Sequence, residues 1–283
     1  MIVIFGSDGQ LAKALQAQFS NKDKAFVVFN KKQCDITNYL QLKEVFAAYK
    51  PKIVINAAAY NLVDECEVDF VEGFKINALS VGQMAFLSKQ FGSFLVHFST
   101  DYVFDGTKIG LYNENDNTNP LNEYGKSKLL GERLVAESGC NYLIFRTSWV
   151  YGNGKNNFIS KLINWCKNSE ILKVAYNEFS IPSSAYDIAY LTSLSLDKGL
   201  NGLYHLVNSG FCSRFEWATF VLSKLKIEKF VYPVDRQVFN LKANRPFFSA
   251  MSNKSICDSL NVEIRDWKSA LCDFLENHYE KQN

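Results

Sequence analysis

The chain has 283 residues, 47% hydrophobic and 21% charged, with a formal net charge of +2. That length suffices for one large domain or two modest ones with a sizeable core, and the balanced charge gives no general pull toward nucleic acid or a membrane surface. No apolar run approaches the ~18 residues of a membrane span, and MIVIFG meets polar Ser7, Asp8 and Gln10 too soon for a secretory signal.

Met1 to Phe5 is a short β-branched run that suits a strand buried on both faces. Gly6 and Gly9 follow, and then Leu11, Ala14, Leu15 and Phe19 recur at helical spacing. AFVVFN (25–30) predicts a second buried strand, Asn38 to Tyr49 a helix stopped by Pro51, and KIVINAAA (52–59) a third strand. A long helix is predicted over 69–91, a fourth strand over 93–99, a helix over 121–137 and a fifth strand over 141–148. Buried strands alternating with helices imply right-handed βαβ units and a doubly wound, Rossmann-type parallel sheet. Such sheets bind ligands at the carboxyl ends of their strands. Gly6, Asn30, Ala57, Thr100 and Trp149 sit at those ends.

After Tyr151 the pattern loosens. Helices are predicted over 156–168, 186–196, 214–225, 252–260 and 267–279, and strands over 171–176 and 202–207. Residues 1–150 therefore read as a dinucleotide-binding domain. Residues 151–283 read mainly as a smaller substrate lobe, with some segments returning to the first domain.

The seven cysteines (34, 66, 140, 166, 212, 257 and 272) are odd in number, far apart and without a CxxC pair. Reduced buried thiols and a cytoplasmic location are expected. His97, His205 and His278 lie far from each other, so no metal site is expected.

FGSDGQLA carries Gly6-x-x-Gly9-x-x-Ala12 between a strand and a helix. The first glycine permits the tight turn, and the second lets backbone approach a pyrophosphate at the helix N-terminus. Glycine turns also join strands to helices for structural reasons alone; the strand-turn-helix context favours a nucleotide. An acid closing the second strand would hold a ribose 2′-hydroxyl. Here Asn30, Lys31 and Lys32 stand instead, which suits a 2′-phosphate and favours NADPH over NADH, with NADH left open as an alternative. Two solvated loop lysines are the plain alternative. CDIT (34–37) can place Asp35 and Ile36 beside the adenine.

HFSTDYVFDGTK passes from a strand into Ser99, Thr100, Asp101 and Tyr102, a polar cluster expected to face a cleft. YGKSK places Tyr124 and Lys128 four apart, on one helical face. A free tyrosine, with pKa about 10, is a poor acid at neutral pH. A neighbouring ammonium would stabilise the phenolate and bring that value down. Tyr124 is then a candidate acid for a carbonyl oxygen receiving a hydride, with Thr100 bonded to the same oxygen. Tyr-x-x-x-Lys also occurs by chance on exposed helices; its position after the fourth strand makes the functional reading the stronger one.

At these residues the chain resembles the extended short-chain dehydrogenase/reductases, and within them the dTDP-4-dehydrorhamnose reductases. The matching stretches are FGSDGQLA, VINAAAYNLVDECE, INALSVG, HFSTDYVFDG, PLNEYGKSKLLGE, FRTSWVYG, NNF, GLYHLVNSG and NRP, spread from residue 4 to about 246. The resemblance implies NADPH-dependent reduction of a nucleotide-linked 4-keto-6-deoxy sugar at C4. Tyr124 would protonate the oxygen, Lys128 would tune Tyr124 and hold the nicotinamide ribose, and Thr100 would orient the carbonyl. Gly6, Gly9, Gln10 and Leu11 would hold the dinucleotide, and Ala57, Ala58 and Ala59 would line it. Asp101, Tyr102, Trp149 and Asn157 would face the sugar nucleotide, and Arg245 its diphosphate. Each has a plainer reading: core aromatics for Trp149 and Tyr102, a turn cap for Asp101, a surface residue for Arg245. Asn77 is expected to support the site structurally.

Some family members bind magnesium at a dimer interface through glutamates. The matching positions here are Ala14 and Tyr186, which cannot ligate a metal, so a monomer or an unbridged homodimer is expected. FSIPSS (179–184) departs from a more glycine- and threonine-rich family stretch, which leaves the exact sugar open. Two alternatives remain: another nucleotide-sugar reductase or epimerase, and a non-catalytic NADP-binding regulatory subunit.

Overall fold

A computed structural model describes residues 1–154 and 156–279; Lys155 and residues 280–283, the end of the expected second region, lie outside it. The apolar runs of the first half form strands β1 (Ile2–Phe5), β2 (Phe26–Phe29), β3 (Ile53–Asn56), β4 (Phe94–Thr100) and β5 (Tyr142–Thr147). Between them lie helices α1 (Gln10–Ser20), α2 (Tyr39–Tyr49), α3 (Val63–Cys66), α4 (Phe70–Phe74), α5 (Ser80–Phe91) and α6 (Glu123–Glu137). The second half adds β6 (Val150–Tyr151), α7 (Phe158–Asn168), β7 (Ile171–Ala175), β8 (Phe179–Ser180), β9 (Ser183–Ser184) and α8 (Ala185–Asp197). It closes with β10 (Gly202–His205), β11 (Cys212–Ser213), α9 (Arg214–Leu225), β12 (Phe230–Val234), α10 (Lys254–Leu260) and α11 (Trp267–Asp273).

Six strands make one parallel sheet in the order β10-β5-β4-β3-β1-β2. The pleat sends alternate residues to opposite faces. Ile2, Ile4, Ile55, Val96, Phe98, Leu143 and Phe145 pack with α1, α8 and α10 on one side. Val3, Phe5, Val54, Leu95 and Ile144 pack with α2 and α5 on the other. This is the doubly wound α/β arrangement, and it buries polar residues of its strands at or near their carboxyl ends (Asn56, Ser99, Thr100, Arg146, Thr147 and His205), with His97 in the middle of β4.

The helix expected over 69–91 is one rod with a fault: Lys75–Leu79 adopts a π-turn between α4 and α5. The fault carries Asn77, whose side chain bonds the Tyr60 backbone at N and O, 2.9 Å each, and Ser127 Oγ at 3.0 Å. These side-chain bonds anchor Asn77 where the helix bulges. The third strand stops at Asn56 rather than residue 59, because Asn56 Oδ1 accepts from Ala58 N at 3.1 Å and turns the chain. The expected last helix continues beyond Asp273 only as a π-turn, Phe274–His278. Strand β12 was not expected; it pairs in parallel with β7, and its Pro233 lies in an exposed two-stranded ribbon where a missing N–H is tolerated.

Beyond β5 a second core gathers Tyr151, Ile159, Leu162, Val174, Trp217, Val221, Trp267 and Phe274. Chain returns from this region to the sheet at α8, against α1, and at β10, against β5. Ala14 is buried in that α1–α8 packing, and Tyr186 stacks on His278 with ring centroids 3.8 Å apart.

Candidate active site

The carboxyl ends of β1, β3, β4 and β5 open into a cavity of about 640 Å³ that the second core closes from above. Gly6 makes the turn after β1 with φ +83°, and a Cβ there would stand 2.6 Å from Ala58 N. Only glycine allows the two loops to meet so closely. The N-terminus of α1 follows with Gly9 at its cap, no capping side chain and no acid in its first turn. Its free N–H groups and positive dipole end suit an anion.

Thr100 ends β4, and its Oγ1 accepts from Tyr102 N at 3.2 Å, turning the chain into the short helix Asp101–Val103. Asn122 caps α6 by accepting from Gly125 N at 2.8 Å. A Cβ on Gly125 would lie 2.3 Å from Tyr102 O, so glycine lets α6 press against the end of β4. That contact brings Tyr124 and Lys128, on one face of α6, to the cavity beside Thr100. Burial raises the Tyr124 phenol to about 12, against the pull of the neighbouring Thr100 hydroxyl. The Lys128 amine is 1% exposed, and burial brings it down to about 8, against the field of Glu132.

Lys128 does not act on Tyr124 in this conformation. Its Nζ donates to Phe98 O at 2.5 Å and lies 3.4 Å from His97 Nε2, so the expected lowering of the phenol by an adjacent ammonium is absent. The long stem follows β4 inward because the carbonyl there is a buried acceptor, and satisfying it outweighs an exposed position.

The far wall is built from cations and rings. The Arg214 guanidinium sits 3.6 Å above the Trp149 ring, Trp149 stacks on Trp217 at 5.4 Å, and Trp217 stacks on Phe158 at 4.5 Å. Trp149 holds a left-handed φ of +41°, uncommon for a bulky residue. Arg214 also pairs with Glu178 at 3.3 Å, and Tyr102 Oη donates to Glu178 at 3.4 Å. Lys161, Lys173, Arg236 and Arg245 complete a basic rim. The buried Trp149 Nε1 and Ser99 Oγ have no protein partner.

Gly9, Gln10, Leu11, Ala57, Ala59, Thr100, Asp101, Tyr102, Tyr124, Lys128, Trp149, Asn157 and Arg245 all line the cavity. Several are engaged inside the protein. Asp101 Oδ2 accepts from Ser180 at 2.8 Å and Ser249 at 2.5 Å; burial pushes its carboxyl up to about 6 against those bonds. Asn157 caps α7 through Ser160 N, and its Nδ2 donates to Gly152 O, Gly154 O and Gln10 Oε1. Gln10 in turn donates to Val150 O at 2.8 Å, which fastens α1 to the second core. Arg245 pairs with Asp64 at 2.5 Å and, against the burial penalty, holds that carboxyl below its usual range.

Gly6, Asn30, Lys31, Asp35, Ile36 and Ala58 stand outside the cavity lining. Asn30 Oδ1 accepts from Lys32 N and Gln33 N, fixing the turn after β2 with both lysines exposed. Asp35 accepts from Thr37 N and Oγ1, which lowers its pKa. Sequence reasoning placed Arg214 only at the start of a helix and missed Glu178, Trp217 and His97. The signal was slight: SRFEW sets an Arg and a Trp three apart, one face of a helix, behind a Ser213–Glu216 capping box.

All seven cysteines are unpaired. Among the described residues no group of His, Cys, Asp and Glu could hold a metal ion, and no helix is long and apolar enough to cross a membrane.

A doubly wound sheet with an uncapped helix N-terminus, a hydroxyl at a strand end and a Tyr-x-x-x-Lys helix defines a nicotinamide-dependent oxidoreductase of the extended short-chain dehydrogenase/reductase type. The sequence model of the RmlD substrate binding domain matches residues 1–280. The chain belongs to that family. It is 32% identical over 275 residues to the spore coat polysaccharide biosynthesis protein SpsK of Bacillus subtilis, covering 97% of this chain and 96% of that one. It is 33% identical over 282 residues to dTDP-4-dehydrorhamnose reductase of Escherichia coli K12, covering 94% of each. The crystal structure of dTDP-4-dehydrorhamnose reductase from Bacillus anthracis in complex with NADP superposes with a TM-score of 0.93 at 35% identity, covering 97% of this chain and 98% of that one.

Proposed function

We propose that this chain reduces the C4 keto group of a nucleotide-linked 4-keto-6-deoxy sugar with NADPH, converting dTDP-4-dehydro-L-rhamnose to dTDP-L-rhamnose for cell-surface polysaccharide. The observation that carries the reading is one cavity holding Thr100, Tyr124 and Lys128 at the sheet end and a basic, aromatic wall opposite. The names of the SpsK and reductase relatives, and the NADP complex, support the substrate and cofactor. Exposed Lys31 and Lys32 beyond β2 support NADPH over NADH.

The residues fit the dinucleotide. The Gly6 turn and the open N-terminus of α1 take the pyrophosphate, with Gln10 and Leu11 beside it, and Ala57, Ala58 and Ala59 leave room in the turn after β3. Asn30, Lys31, Asp35 and Ile36 hold the adenosine end, and Lys128 takes the nicotinamide ribose. When bound, the cofactor supplies the hydride. Tyr124, protonated at neutral pH, gives its phenolic proton to the carbonyl oxygen as that hydride reaches C4. Thr100 holds the same oxygen. Trp149, Tyr102 and Arg214 line the sugar-nucleotide side, with Arg245 at the diphosphate. Asp101 and Asn157 act there by fixing the wall, since their side chains are spent on protein partners.

Residues 1–150 thus carry the dinucleotide and 151–283 mainly the sugar nucleotide. A cytoplasmic enzyme, monomeric or an unbridged homodimer, fits this reading. The test is oxidation of NADPH, followed by absorbance, with dTDP-4-dehydro-L-rhamnose generated in situ. Turnover with dTDP-L-rhamnose as product is expected. No turnover with NADPH still bound would overturn the assigned sugar.

A further inference from the structure

Behind Lys128 lies a chain of buried polar groups that no substrate contact explains. Asn56 closes β3 and His97 is its direct neighbour on β4. Asn56 and Lys128 are each 1% exposed and His97 is 0% exposed. Ala58 N is a donor, so the Asn56 atom facing it at 3.1 Å is the amide oxygen. The amide nitrogen therefore points the other way, and Nδ2 donates to His97 Nδ1 at 3.2 Å. An imidazole whose Nδ1 accepts carries its proton on Nε2. That Nε2–H faces the Lys128 amine at 3.4 Å, while Lys128 Nζ donates to Phe98 O.

We propose that His97 is a positioning residue for Lys128: Asn56 locks the imidazole as the Nε2–H tautomer, and that N–H meets the amine from behind and disfavours an ammonium in this inward position. A neutral amine satisfies both neighbours, donating to Phe98 O and accepting from His97 Nε2–H. An ammonium has no lone pair to accept with and leaves two N–H groups without partners here. Lys128 is thereby released toward the cavity when it is charged, and a bound ribose can offer the acceptors that β4 does not. This reading of the inward state rests on the cofactor role proposed above only for the step in which Lys128 turns outward.

The other charged groups around Lys128 do not reverse the argument. Glu132, one turn along α6, raises its basicity but is held by Arg146 of β5 at 2.7 Å. His205 of β10 sits against Arg146, at 3.5 Å from Nη1, rather than against Lys128. His97 itself is driven toward the neutral form by burial and then by the Lys128 charge. The lowered pKa of Lys128, to about 8, agrees with the geometry.

The test begins with the wild-type protein free of cofactor. Nitrogen-15 spectra of the three histidines, with His97→Gln to assign the signal, should show His97 neutral, Nδ1 unprotonated and Nε2 protonated across the neutral range. An Nδ1–H tautomer, or a charged ring at neutral pH, overturns the proposal. This readout needs no turnover, so it stands apart from failure of the reductase assignment. Asn56→Asp then inverts the lock: the carboxylate accepts from Nδ1–H, and Nε2 becomes an acceptor for the ammonium. The alkaline limb of NADPH affinity against pH should move upward by on the order of one pH unit. An unmoved limb in folded Asn56→Asp overturns the proposal, and if that variant does not fold, the wild-type tautomer decides it.

Discussion

The two walls of the cavity are made in different ways. The sheet wall draws Thr100, Tyr124 and Lys128 from a strand end and one face of one helix, and its groups are placed by backbone geometry. The opposite wall draws Trp149 and Glu178 from two connecting loops and Arg214 and Trp217 from the first turn of α9, and its groups are placed by one another through stacking and ion pairing. The first wall therefore tolerates loss of a single functional group without moving. The second should rearrange when any member is removed.

The sharpest way to break that contrast is Tyr124→Phe. It removes one hydroxyl from the rigid wall, so NADPH binding should stay within about twofold while reduction falls by on the order of 10³-fold or more, the range lost with a general acid. Parallel measurement of kcat and of NADPH binding by fluorescence checks it; an active variant would remove Tyr124 from the chemistry.

Asp101 tests how firmly the two walls are joined, because its carboxylate on the sheet side accepts from Ser180 and Ser249 on the other. Burial raises its pKa to about 6 in the folded chain, so the folded state binds the proton more tightly than the unfolded one. The resulting stabilisation is full below the ordinary aspartate range and is lost as pH rises through about 6. Asp101→Asn should abolish it. Between about pH 4 and pH 7, wild type should lose up to about 3 kcal/mol more in urea unfolding than the variant. Equal pH dependence would place the carboxylate in a solvated position.

Arg214→Met keeps the stem but removes the charge above Trp149 and beside Glu178. Losing a cation–π contact and a part-buried ion pair costs about 2 kcal/mol, so KM for the sugar nucleotide should rise by roughly 30-fold with NADPH affinity unchanged. A change confined to NADPH affinity would assign Arg214 to the wrong wall. The smallest effect belongs to Lys31 and Lys32, which are exposed and screened. Changing both to Ala should weaken NADPH by about tenfold and NADH by less than about twofold. Equal losses would refute a contact with the 2′-phosphate.

Much of the sheet wall was legible in the chain itself. Apolar β-branched runs alternate with helical spacing, Gly6 and Gly9 punctuate the first turn, and a four-residue interval puts Tyr124 and Lys128 on one face. Each of these signals is local, because helix and strand periods convert sequence spacing directly into direction. The π-turn at Asn77 was not legible, since the partners that hold the Asn77 side chain there are Tyr60 and Ser127, 17 and 50 residues away. Strand β12 was hidden by its proline and its exposed partner-facing ribbon.

The sequence alone determined the order of the five strands and the main helices of the first half, the class of sheet, and which side chains share a helical face. Only the tertiary structure decided where the Lys128 amine points, that His97 stands behind it, and that Arg214 meets Trp149 and Glu178. The first set depends on backbone periods that act over a few residues. The second depends on strand register and the packing of two cores, which bring together groups 31 to 65 residues apart and leave no trace in local spacing.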